Sequence, residues 1–150
     1  MSEKNKQVVR RWVEQMCGQG KLEVAEEIFA AEVTDHNPIP NQQPGIEGQK
    51  QVLLELWAAF PDFHTEINDI IAEGDRVVLR WTGRGTHEGY FGDIGPTGRQ
   101  IVYTGVDIVK IAGGKIVERW GISDDAGLLA QIASGQEAVS AKAETFVKEY

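Results

Sequence analysis

Three carboxylates stand near one another late in the sequence: Asp107 in Gly105-Val106-Asp107, and Glu118 and Asp124 at the two ends of Glu118-Arg119-Trp120-Gly121-Ile122-Ser123-Asp124. A carboxyl group set against apolar surface can do general acid/base work, because lost hydration disfavours its charge and moves its proton affinity toward neutrality. Gly113-Gly114 marks a tight hairpin between the segments that carry them. Pairing Ile111 with Ile116 sets Val109 across from Glu118, Asp107 across from Trp120, Gly105 across from Ile122 and Tyr103 across from Asp124. That register gathers the bulky apolar residues on one face, and all three carboxylates share it. Two of them also have a structural role open to them. Glu118 can pair with Arg80, Arg84 or Arg119, and Asp124 or Asp125 can cap a helix beginning at Ala126.

His36, His64 and His87 are the only imidazoles, and none has a close His-x-His or His-x-x-x-His spacing, so no metal site is predicted. His36 and Asn37 end a short predicted strand, where polar side chains reach a pocket mouth or bond local backbone. His87, in Gly85-Thr86-His87-Glu88-Gly89-Tyr90-Phe91, lies on a segment that can fold over a pocket or stay solvated. Trp12, Trp57, Trp81 and Trp120 read first as core; Trp57 and Trp120, with Tyr103, would suit a flat ligand wherever they face a cavity. The glycine-rich stretches complete neither a dinucleotide nor a Walker pattern, and no Gly-x-Ser-x-Gly elbow occurs. Cys17 has no evident base. Neither a cofactor nor nucleophilic catalysis is predicted.

These side chains need a scaffold, and the apolar periodicity supplies one. Val8, Val9, Trp12, Val13 and Met16 recur at helical spacing before Gly18 and Gly20, and Leu22, Ala25, Ile28 and Phe29 repeat the pattern. Three prolines between Thr34 and Gly48 predict an extended loop, after which Val52, Leu53, Leu56, Trp57 and Phe60 mark a third helix. From Phe63 the period changes to two, with adjacent Ile70 and Ile71 hinting at a β-bulge. Strands are expected over Arg76 to Thr82, Ile101 to Ile111 and Lys115 to Ser123, then a short helix from Ala126 to Ile132. Residues 1–133 read as one domain, and 134–150 as a helical tail docked on it or on a partner subunit. Helices followed by consecutive antiparallel strands predict an α+β fold, not alternating βαβ units.

A chain of 150 residues with 41% hydrophobic residues can build one core. Its formal net charge of -8 repels phosphate backbones and anionic lipid, so neither nucleic acid nor membrane is an expected partner. With one cysteine, no signal-like leader and no apolar run of about 20 residues, a cytoplasmic location is expected.

The combination of Ala59-Phe60-Pro61-Asp62-Phe63-His64, Ala72-Glu73-Gly74-Asp75-Arg76-Val77, Arg80-Trp81, Gly85-Thr86-His87, Pro96-Thr97-Gly98-Arg99, Gly105-Val106-Asp107 and Gly114-Lys115-Ile116-Val117-Glu118-Arg119-Trp120, running to Asp124, resembles the SnoaL-like polyketide cyclases, or ester cyclases. The resemblance implies a cone of the nuclear transport factor 2 type, a cystatin-like α+β barrel in which a curved antiparallel sheet and N-terminal helices enclose an apolar pocket. It further implies a homodimer and metal-free, cofactor-free acid/base chemistry, such as intramolecular aldol closure, on a small hydrophobic carbonyl compound. The family's Trp-x-x-x-Asp pattern carries the acid/base role to Asp124, with Asp107 at the second polar position. A non-catalytic binding or interaction domain is the alternative.

Overall fold

Residues 2–133 are described by the computed structural model, and the expected tail over 134–150 lies outside the described residues. Helix α1 (Ser2–Arg11) runs on into a π-helical stretch, Trp12–Cys17, that buries Trp12, Val13 and Met16. The second expected helix splits into a 3-10 turn, Leu22–Val24, and a single α turn, α2 (Ala25–Ile28). Phe29, expected on that helix, instead opens strand β1 (Phe29–Asp35). Helix α3 (Gly45–Ala59) starts directly after Pro44, three residues earlier than the end of the expected loop, since proline is tolerated just outside a helix N-terminus.

The rest of the chain is β2 (His64–Glu73), β3 (Arg76–Thr86), β4 (Gln100–Ala112), β5 (Lys115–Ser123) and helix α4 (Asp125–Ala133). They form one curved, unclosed sheet of order β1-β5-β4-β3-β2. It is mixed: β1 runs parallel to β5, and the other neighbours are antiparallel. A shift between Ile67 and Asp69 on β2 is the bulge that adjacent Ile70 and Ile71 foretold, because it returns Ile70 and Ala72 to the half-buried face.

Helices and sheet bury two apolar clusters against the concave face. One joins Val9, Trp12, Met16, Ile28 and Phe29 to Val77, Leu79, Val109 and Ile116; the other joins Phe60 and Phe63 to Ile101, Leu128 and Ile132. Trp57 and Trp81 touch both. The burial of β4 alternates, with Ile101, Asp107, Val109 and Ile111 inside and Val102, Val106 and Ile108 outside.

Candidate functional site

The hairpin register departs from the expected one at a single residue. Ile111 does pair with Ile116, but the next pair is Lys110 with Glu118, which leaves Val117 as an extra residue on β5. Asp107 therefore faces Gly121, Val109 faces Arg119, and Gly105 faces Ser123. A slip of one residue moves every later side chain to the other face. Glu118 and Trp120 go to the outer face, while Arg119 comes inside beside Asp107. The three carboxylates do not share a face. The available signal was charge: only the bulged register sets Lys110 against Glu118, whose charged groups lie 3.9 Å apart.

Asp107, 3% exposed, is the one buried carboxylate among the described residues. Trp81 Nε1 donates to its Oδ2 at 2.9 Å, and Arg119 Nε donates to its Oδ1 at 3.0 Å. Two glycines make this possible. A Cβ on Gly105 would strike the Trp81 indole, and one on Gly121 would strike the Asp107 carboxylate. The sequence signals were the Gly-x-Asp and Trp-Gly steps, visible as turns or breaks but not as space for a neighbour.

Arg119 continues the network. Its Nη1 donates to Gln49 Oε1 at 2.8 Å and lies 3.9 Å from Asp35 Oδ2, while its guanidinium carbon sits 4.8 Å from the Trp12 ring centroid. Asp35 Oδ2 accepts from Gln49 Nε2 and Gln42 Nε2, each at 3.1 Å, and its Oδ1 accepts from the Asn37 amide at 3.0 Å. Burial works against the Arg119 charge, but Asp107 and Asp35 outweigh it and hold the guanidinium protonated beyond its ordinary range. Burial likewise pushes the Asp35 carboxyl up, yet Arg119 and the two glutamine amides bring it below the usual carboxylate value. The Cys17 thiol is pushed up to about 12, chiefly by burial, with Arg119 opposing and Asp107 adding. It stays a thiol at neutral pH, which removes it as a nucleophile. Trp81, Gln49, Asp35 and Arg119 were not read as site residues from sequence.

Asp124 is exposed, and its Oδ1 accepts from the Gly127 amide at 3.0 Å, the N-cap geometry for α4. Its neighbour Asp125 accepts from Tyr103 Oη and, at 2.9 Å, from Ser123 Oγ. Tyr103 lies on the Asp107 side of β4, packed edge-on against Trp81 at 5.4 Å; burial first, then Asp125, raises its proton affinity.

His36 and Trp120 do meet, on the face opposite Asp107. Their rings stack at 4.6 Å and 5°, and His36 Nε2 lies 3.1 Å from Glu118 Oε1. That contact and Lys110, not Arg80, Arg84 or Arg119, are the ion-pair partners of Glu118. Asn37 Oδ1 accepts from the Gly121 amide at 3.0 Å, tying the loop after β1 to β5. Trp57 packs between the two clusters. His87 is fully buried; its Nδ1 lies 2.9 Å from Thr97 Oγ1 and 3.2 Å from the Thr97 amide nitrogen, and its Nε2 has no hydrogen-bond partner. An open hollow of about 470 Å³ lies elsewhere, on the outer side of α3 between Leu22, Gln43, Lys50 and Leu54. It contains none of these groups. Among the described residues no group of acidic, histidine and cysteine side chains forms a metal cluster, and no helix is long and apolar enough to cross a membrane.

The sequence profile of the SnoaL-like polyketide cyclases matches residues 7–132. The chain belongs to this family. Among solved structures, a candidate polyketide cyclase, IdmH from Streptomyces antibioticus, is 31% identical, with a TM-score of 0.75 over 86% of this chain and 98% of that one. A candidate polyketide cyclase from Bacillus cereus is 26% identical, with a TM-score of 0.76 over 87% of this chain and 80% of that one. Another, from Acidithiobacillus ferrooxidans, is also 26% identical, with a TM-score of 0.76 over 88% and 96%. No curated protein matches in sequence. The α+β cone expected from the SnoaL-like resemblance is thus the fold that this chain has, with β1 as a parallel edge strand in an otherwise antiparallel sheet.

Proposed function

We propose that this SnoaL-like protein is a cyclase-type acid/base enzyme acting on a small hydrophobic carbonyl compound, with Asp107 as its proton-transfer group. The observation that carries the reading is the setting of Asp107: a buried carboxylate gripped by an indole N–H and a guanidinium, on an apolar sheet face that also carries the Trp81 and Tyr103 rings. In an aldol closure Asp107 takes a proton from the carbon α to a carbonyl, and the electrons of that C–H bond move to the carbonyl oxygen. The α carbon then bonds to a second carbonyl carbon of the same molecule, whose oxygen takes the proton back. The fixed positive charge of Arg119 favours the enolate oxygen, because it costs no reorganisation when the charge forms. Trp57, Trp81 and Tyr103 supply flat apolar surface for the ligand. Asp124, the position favoured by the family pattern, keeps the cap role in this reading.

A simple ketone tests this whatever the native substrate is. α-Tetralone exchanges its α protons slowly in D2O, and NMR reads the rate directly. The wild-type protein should accelerate exchange, and Asp107→Asn should lose most of that acceleration while still quenching tryptophan fluorescence on binding the ketone. Equal exchange by both proteins sinks the role of Asp107. Binding without exchange by the wild type favours the non-catalytic alternative.

The outer sheet face supports a homodimer as the assembly. Val102, Val106, Ile108 and Ile122 are all exposed there, Ile122 at 76%. A row of apolar side chains on one sheet face is the kind of surface that a second copy covers. Light scattering should give twice the chain mass, and Ile122→Lys should return the monomer.

A further inference from the structure

The proton-transfer reading leaves two polar side chains, half-buried Asp35 and buried Gln49, without a task. We infer that Asp35 and Gln49 are positioning residues that hold Arg119 by its far end and thereby set how strongly Asp107 holds a proton. The inference rests on the reading of Asp107 as the proton-transfer group, but it concerns different residues and has its own readout.

The geometry allows only one arrangement of the amide. Gln49 is 3% exposed, and its carboxamide bridges two groups of opposite charge: Oε1 accepts from Arg119 Nη1 at 2.8 Å, and Nε2 donates to Asp35 Oδ2 at 3.1 Å. Reversing the amide would set donor against donor at Arg119 and acceptor against acceptor at Asp35. Gln42 Nε2 and the Asn37 amide fix Asp35 from the other side, at 3.1 and 3.0 Å. β1, α3 and the loop between them therefore clamp one end of the guanidinium. Nε, at the other end, is left to meet Asp107 at 3.0 Å.

The electrostatic consequence follows from counting charges. One guanidinium is shared by two carboxylates, so Asp35 reduces the positive field that Arg119 exerts on Asp107 and adds a negative field of its own. Among the described residues, the other titratable groups facing Asp107 are the Cys17 thiol from the π-helical stretch and the Tyr103 hydroxyl on β4, both pushed upward and neutral near pH 7. Arg119 and, behind it, Asp35 are the charged groups of this network on the Asp107 side of the sheet. Without Asp35, Arg119 would serve Asp107 alone and make it a weaker base.

Two substitutions with opposite charge effects test this. Asp35→Asn removes a negative charge, and Gln49→Glu adds one against the same nitrogen. The readout is the pH titration of the Asp107 side-chain carboxylate carbon by NMR, made on the ligand-free full chain. The midpoint should move down in Asp35→Asn and up in Gln49→Glu, and Asp35→Glu should restore the wild-type curve. A merely structural role would shift neither curve with a sign that follows charge. Unchanged or same-direction movement in the folded variants overturns the inference; if one variant does not fold, absence of the stated shift in the other does so. Catalysis is scored separately by α-tetralone exchange, so an inactive wild type would remove the acid/base reading while leaving the titration result to stand or fall alone.

Discussion

Asp107 faces Gly121 across the β4–β5 ladder, and the carboxylate occupies the space that a Cβ on Gly121 would need. The pair explains why a glycine stands directly after Trp120 in the middle of a strand, where its lost backbone entropy is a cost. Gly121→Ala should push the carboxylate off Arg119 and Trp81. Overpacking of this kind costs about 1–3 kcal/mol, to be read as a lower urea midpoint. Exchange of α-tetralone should fall with it. A variant with wild-type stability and exchange would contradict the close fit.

Asp124 offers a cleaner separation of structure from chemistry. Asparagine caps helices as well as aspartate does, whereas alanine loses about 1 kcal/mol. With Asp124 Oδ1 accepting from the Gly127 amide, Asp124→Asn should keep both stability and α-proton exchange, and Asp124→Ala should lose stability alone. Loss of exchange in a fully stable Asp124→Asn protein would return the acid/base role to Asp124 and take it from Asp107.

The positions that sequence reasoning read well were those governed by period and turn chemistry. Gly113 and Gly114, both at positive φ, form the turn before β5, and the Ile70-Ile71 step marked a real bulge on β2. The second bulge was hidden because Ile111 and Ile116 satisfy the apolar pattern equally well with or without it, and only Val117 reveals it. From that residue onward the assignment of faces inverted: Trp120 and Glu118 were expected inside, and Arg119 was weighed only as a partner for Glu118. Asp35, Gln42 and Gln49 were illegible for another reason. They reach Arg119 from β1, α3 and a proline-rich loop, and β1 meets β5 in parallel, so no local spacing brings them together.

Half-buried Cys17 gives a prediction about the network beside Arg119. Burial holds its thiol at about 12, well above the range in which reagents attack thiols at ordinary pH. Labelling with a disulfide reagent at pH 8 should be slow in the native protein and complete in urea. Arg119→Met removes the one positive charge that favours the thiolate, so it should slow labelling in whatever fraction remains folded. Rapid native labelling would mean that the network around Arg119 is open to solvent.

Asp35 ties the same network to acid stability, and the sign follows from its depressed proton affinity. Burial alone would raise it, but Arg119, Gln42, Gln49 and the Asn37 amide together bring the folded-state value below that of the unfolded chain. Such a group stabilises the fold at pH above its unfolded value, about 3.9 for aspartate, and that contribution disappears as the pH falls through the folded value. Wild-type stability should therefore drop more steeply than that of Asp35→Asn as pH is lowered from about 5 toward 2. The two curves should converge on the acid side, because a protonated Asp35 and an asparagine are both neutral there. Urea unfolding at stepped pH measures the gap directly. A gap that stays constant from neutral to acid pH would show that Asp35 contributes shape and hydrogen bonds without its charge, and would weaken its assigned hold on Arg119 as well.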